Sequence, residues 1–219
     1  MLNFTAFSPK TVAILMVGLL RPDNDQRNSI RKNLYEPLVQ AGHLVDAYLC
    51  SETSERATWH ATLSSSSSSI RHRLESCFHF VQTKARYDVY IRTRPDLLVY
   101  APMHIALDVR GIQTRMRVLD STEGTPRRAS SFYCDSLKLR AAIDDQFGVI
   151  SAQFARAYFA DVHTPNGIFK QTWEEYRLTN KLSESELAIP VVITPFPIRL
   201  VKSHRGGHTP EVNVSDMCE

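Results

Sequence analysis

A chain of 219 residues suits one large domain or two small ones and can bury a substantial core, and its 43% hydrophobic and 22% charged content is that of an ordinary globular protein. The net charge of +3 is too small to argue for nucleic acid, and no RNP signature, zinc-finger spacing or long Lys/Arg run adds to it. No nucleic-acid partner is therefore expected.

In chain order, "TVAILMVGLL" at residues 11–20 comes first. It is too short to cross a bilayer, and "RPDNDQR" follows where a secretory signal would need small residues. The apolar run 12–18, closed by Gly18, reads instead as a central strand covered on both faces. No membrane span is expected in this chain. A cytoplasmic location follows, or a catalytic domain whose anchor lies elsewhere.

"SIRKNLYEPLVQAG" places Ile30, Leu34 and Leu38 at helical spacing, with Gly42 as the stop and Pro37 bending or dividing the helix. "HLVDAYLCSE" is the second strand. The serines of 64–69 cannot bury apolar area and read as a loop or linker. Ile70, Leu74, Cys77, Phe78 and Val81 then mark one face of a helix, which leads to a third strand in "YDVYIRTRPD". Alternating strand and helix predict a parallel α/β sheet.

The second half is less regular. "GIQTRMRVLD" and "SSFYCD" are short strand candidates around a charged loop at 120–130. Phe147, Ile150, Phe154 and Tyr158 recur at helical spacing, predicting a helix from Asp145 through "QFGVISAQFARAYFADV". "TWEEYRLTNKL" and "SESELAIP" continue as helix. "VVITPFPIRLVKS", broken by two prolines, is an edge or irregular strand, and 203–219 is loop.

The four cysteines, Cys50, Cys77, Cys134 and Cys218, form no CxxC pair. Free thiols in a reducing compartment are expected. His72, Cys77 and His79 read as surface and core residues of one helix rather than as a metal site.

Ligands of open α/β sheets bind beyond the carboxyl ends of the strands, which here means "GLLRPD", "CSETSE" and "RTRPD". Arg92 and Arg94 suit phosphate, because a guanidinium makes two charge-assisted hydrogen bonds at once. Asp96 beside them could share Mn²⁺ or Mg²⁺ with phosphate oxygens, or the three residues could form a structural ion-pair cluster. Asp144 and Asp145 stand before the expected helix, as caps or as carboxylates for a sugar hydroxyl. Glu184 and Glu186 of "SESE" read as a solvated helix start. Lys202, His204, Arg205 and His208 could close over a diphosphate or complete a metal shell. There is no GxGxxG, P-loop or GxSxG motif.

In order and spacing, "VAILMVGLLRP", "VDAYLCSE", "YDVYIRTRPDLLVY", "DDQFGVISAQFARAYF" and "SESELAIPVVITPFPIRLVKS" resemble small GT-A-type glycosyltransferases of algae, large viruses and bacteria. The resemblance spans about residues 11–203. It implies a single α/β domain over 1–219, with a mostly parallel sheet flanked by helices. Residues 11–100 would form a Rossmann-like nucleotide-binding half, 101–203 a sugar and acceptor half, and 204–219 a tail. It also implies a nucleotide-sugar donor, usually a UDP-sugar, a glycan or glycoprotein acceptor, and Mn²⁺ or Mg²⁺. Gly18, Leu19 and Arg21 would lie near the nucleotide, with Arg92, Asp96 and Lys202 at the phosphates. Asp96, His204 and His208 would hold the metal, while Arg94 and Asp145 would act in catalysis. One departure stands out: the usual Asp-x-Asp has arginine at position 94. An inactive nucleotide-sugar-binding or glycan-binding domain and a sugar nucleotidyltransferase are the alternatives.

Overall fold

The computed structural model describes residues 8–18, 24–51, 61–64, 70–108, 110–119, 132–134, 139–160, 189–194 and 196–200. Strand β1 (Thr11–Val17) is followed by α1 (Asn24–Ile30), a π turn (Arg31–Tyr35) and α2 (Glu36–Gln40), then β2 (Leu44–Ser51) and β3 (Ala61–Ser64). Helix α3 (Ile70–Gln82) leads to β4 (Val89–Thr93) and β5 (Leu97–Val99). The second half holds β6 (Ile112–Leu119), β7 (Phe132–Cys134), β8 (Leu139–Ser151), α4 (Ala152–Phe159), β9 (Val191–Ile193) and β10 (Ile198–Leu200). The helices expected in "TWEEYRLTNKL" and "SESE", the loop at 120–130 and the tail lie outside the described residues.

The fold is α/β. Eight strands form one sheet in the order β3-β2-β1-β4-β8-β6-β9, with β7 beside β8, and β5 and β10 form a small antiparallel pair. The run from β3 to β4 is parallel, whereas β8 runs against β4 and β6, so the sheet is mixed. β1 is central and buried on both sides. Val12, Ile14 and Met16 enter one core with Ile30, Leu34 and Leu38, while Ala13, Leu15 and Val17 enter the other with Leu74, Phe78 and Phe159. Each large apolar side chain so buried contributes about 2 kcal/mol.

Pro37 is accommodated one turn early. Glu36 N–H donates to the Arg31 carbonyl across five residues, as a π turn requires. Pro37 has no N–H for the Asn33 carbonyl, which accepts from Met103 N–H instead at 2.8 Å. The helix ends as expected at Gly42, with φ 87°, where Gly42 N–H and His43 N–H bond back to Val39 and Leu38.

Two expectations are corrected. Residues 139–151 are strand, and helix begins only at Ala152. The spacing of Phe147, Ile150, Phe154 and Tyr158 joins two strand residues to two helix residues by coincidence. Phe147 and Val149 face one core and Ile150 the other, the alternation of a strand paired on both edges. Asp144 and Asp145 therefore cap no helix. The cap position of α4 is Ser151, whose Oγ bonds Gly111 N–H and carbonyl, both at 3.0 Å.

The second correction concerns the thiols. Cys50 and Cys77 form a disulfide between β2 and α3, with Cα atoms 5.8 Å apart. A sheet residue and a helix residue meet here across a sequence separation of 27, which no local spacing announces. The bond removes the support that free thiols lent to a cytoplasmic location. Among the described residues no helix is long and apolar enough to cross a membrane. His72 and His79 are exposed while Cys77 is buried in this bond, so the three do not converge on a metal.

On the α3 face, Tyr48 and Tyr87 share a hydrogen bond between their hydroxyls, and Tyr87 donates to Asp46 at 2.7 Å. Burial raises the pKa of Tyr87 far above its ordinary value, reinforced by both of these hydrogen bonds. Burial also raises Tyr48 and Tyr90. A raised folded-state pKa means stability is intact below the unfolded value and lost as pH climbs past it. The contribution of these tyrosines to the unfolding free energy should therefore be constant up to about pH 10 and then fall, by about 1.4 kcal/mol per pH unit for each tyrosine engaged, as read from denaturant unfolding. In Tyr87→Phe the alkaline fall should be shallower. An equal slope in the variant would remove Tyr87 from this role.

Candidate functional site

β1, β2 and β3 progress to one side of the sheet, and β4 returns to the other side of β1. The chain thus reverses direction between β1 and β4, and the crevice at their carboxyl ends is where such sheets hold ligands. Gly18 ends β1 there, with φ 155° and its N–H donating to Cys50 O at 3.3 Å. A Cβ on Gly18 would sit 3.2 Å from Pro95 Cδ, so glycine lets the two strand ends close on one another.

The segment "RPDL" after β4 is a tight turn. Leu97 N–H donates to the Arg94 carbonyl at 3.2 Å, and Pro95 occupies the second position, where its fixed φ is preorganised. Across the turn, Arg94 Nε and Nη2 donate to Asp96 Oδ1 and Oδ2, both at 2.8 Å. The two members differ in exposure: the Arg94 side chain is 27% accessible and that of Asp96 2%. Arginine faces outward and the carboxylate lies beneath it.

Arg92 is buried on β4, in register with Leu15 of β1 and Gly148 of β8. Gly148 is in turn in register with Thr114 of β6, whose hydroxyl donates to Phe147 O at 2.9 Å. Beyond Gly148 the ladder breaks. β6 advances from Thr114 to Met116 while β8 runs from Gly148 back to Ile143, so Asp144, Asp145, Gln146 and Phe147 stand against Arg115 alone. Bulges of this kind re-aim side chains beside active sites. Because β8 is antiparallel to β4, the bulge falls past Arg92, at the edge where β4 turns at Arg94.

The fold thus brings Gly18, Arg92, Arg94, Asp96 and the backbone of Asp145 to one edge. Leu19, Arg21, Lys202, His204 and His208 lie outside the described residues. Further buried polar residues at this edge are Ser51 at the end of β2, Arg73 in the first turn of α3, Thr93 and Gln146. Arg73 belongs here because α3 leads to Asp88, whose N–H meets Thr11 O at the opposite edge, so its first turn lies at the carboxyl ends. The sequence signal was its spacing: Arg73 lies three residues after Ile70 and four before Cys77, on the apolar face.

Both Asp96 oxygens are engaged by Arg94, and the described residues contain no group of three or more His, Cys, Asp or Glu able to hold a metal. The described residues by themselves assemble no site for Mn²⁺ or Mg²⁺, and His204 and His208, the other expected ligands, lie outside them.

No protein-family model matches the chain, and no curated protein sequence does. Several solved structures are similar to it. The catalytic domain of Drosophila β1,4-galactosyltransferase 7 in complex with xylobiose is 11% identical, over 95% of this chain and 79% of that one, with a TM-score of 0.48. A mutant of that enzyme in complex with manganese, UDP-Gal and xylobiose is 10% identical over the same shares, with a TM-score of 0.47. CMP:2-keto-3-deoxy-manno-octonic acid synthetase complexed with CTP is 13% identical over 84% of this chain and 89% of that one, also at 0.47. Such values transfer no role to a residue of this chain.

Proposed function

We propose that this chain is a glycosyltransferase, moving a sugar from a nucleotide-sugar of the UDP type to a hydroxyl of a glycan or glycoprotein. The observation that carries this reading is the β1–β4 crevice, where Gly18 abuts a rigid turn that turns Arg94 outward. The resemblance of the ordered landmarks to GT-A-type enzymes supports the same reading. The nucleotide lies over the carboxyl ends of β1 and β2, with Leu19 and Arg21 among its partners. Its diphosphate lies at Arg94, with Lys202, His204 and His208 as its further partners.

In the reaction the bond from the anomeric carbon to the diphosphate oxygen breaks, and the leaving diphosphate gains negative charge. A preorganised cation beside that oxygen lowers the barrier, because it needs no reorganisation as charge develops. The acceptor hydroxyl forms the new bond and loses its proton. Asp145, on the bulge of β8, is the base in an inverting reaction.

The test is nucleotide release from a panel of UDP-sugars with oligosaccharide acceptors, for the wild type and Asp145→Asn. One donor should be consumed, and the variant should turn over about 10²-fold more slowly with its donor KM little changed. Unchanged turnover in Asp145→Asn would remove that residue from the role of base. A second reading, binding without turnover, is favoured by the carboxylate of Asp96 being closed off by Arg94. UDP binding with no release from any donor would select it.

A further inference from the structure

We propose that the donor diphosphate is held by arginine in place of a divalent cation, with Arg94 as its ligand and Asp96 as the positioning partner of Arg94. This deepens the donor reading above and rests on it. The argument begins with the order of the two charges from solvent inward. A group entering the crevice meets the guanidinium, 27% accessible, before the carboxylate, 2% accessible. An anion gains from that arrangement at once. A cation must first displace a fork bonded at 2.8 Å through both of its arms and then lie against a positive charge.

The backbone makes the arrangement rigid. The turn is closed by Leu97 N–H on Arg94 O, Pro95 fixes its second residue, and Gly18 packs against Pro95 from β1. Asp96 then locks the guanidinium plane through Nε and Nη2. This preorganisation is what a metal would otherwise supply at the leaving group. Arg92 and Arg73 are both buried at the same edge.

The experiment is calorimetric titration of UDP, and of UMP as control, into the full chain in EDTA and again in Mn²⁺. The expected result is a UDP Kd equal within about twofold in the two conditions, with UMP weaker by about tenfold or more. Arg94→Lys should weaken UDP by about tenfold in both conditions, because lysine cannot make the fork. Asp96→Asn should weaken UDP without creating a requirement for Mn²⁺. The wild-type comparison stands even if a variant fails to fold. Tightening of UDP by Mn²⁺ of about tenfold or more would overturn the inference and leave the donor reading intact. UMP binding as tightly as UDP would overturn it too, since the diphosphate would then be unread. Binding of neither nucleotide in either condition would overturn both the inference and the donor reading.

Discussion

Gly111→Ala should destabilise the fold by about 3–5 kcal/mol and lower the melting temperature by about 10 °C. Gly111 has φ 137°, which L side chains rarely adopt. A Cβ there would lie 2.3 Å from the Pro190 carbonyl oxygen and 3.1 Å from Pro190 Cβ. That carbonyl cannot simply retreat, because it accepts Ile112 N–H at 2.9 Å at the start of the β6–β9 pairing. Gly111 is also held by Ser151, whose N–H bonds its carbonyl and whose Oγ accepts its N–H, each at 3.0 Å. Backbone strain, overpacking and a displaced hydrogen bond therefore add at one position. Thermal unfolding of the variant measures the sum. A melting temperature within about 2 °C of the wild type would show that β9 docks less rigidly than this geometry requires.

Loss of the Cys50–Cys77 bond should cost about 3–4 kcal/mol, from the loop-closure entropy of the 27-residue separation. Both sulfur-bearing residues are fully buried, so native protein should resist thiol labelling at these positions and reduction should require opening. Unfolding with and without a reductant, and in Cys77→Ser, measures the cost. Rapid labelling of Cys50 and Cys77 in the native, unreduced protein would refute the bond. The bond also bears on function. Cys50 precedes Ser51 at the end of β2, and Cys77 lies one turn beyond Arg73, so the disulfide seats the start of α3 against the crevice. On the proposed donor reading, Cys77→Ser should weaken UDP binding as well as lower stability.

The Asp145 region shows how helical spacing can arise on a strand. Two carboxylates before an apolar period of 3.6 read as a helix cap, yet they stand on a strand bulge. Single-sequence periodicity cannot distinguish these, because Phe147 and Ile150 serve the two sheet faces while Phe154 and Tyr158 serve one helix face. The bulge places Asp145 at the edge its proposed role needs, for a reason the helix reading did not contain. The "RTRPD" cluster went the other way. Its place at the end of β4 was legible, but whether Asp96 faces a ligand or its own neighbour was not.

The sequence by itself determined the strands β1, β2 and β4, the helix over 70–82 and the stop at Gly42. Each is written in a local signal: an unbroken apolar run, a 3.6-residue period, or a glycine where φ must be positive. Only the tertiary structure decided the insertion of β8 beside β4, the Cys50–Cys77 bond, the burial of Arg73 and the pairing of Arg94 with Asp96. Three of these depend on partners distant in sequence. The fourth depends on a turn whose closure is set by Pro95 packing against Gly18, and no local pattern encodes which surface a segment will meet.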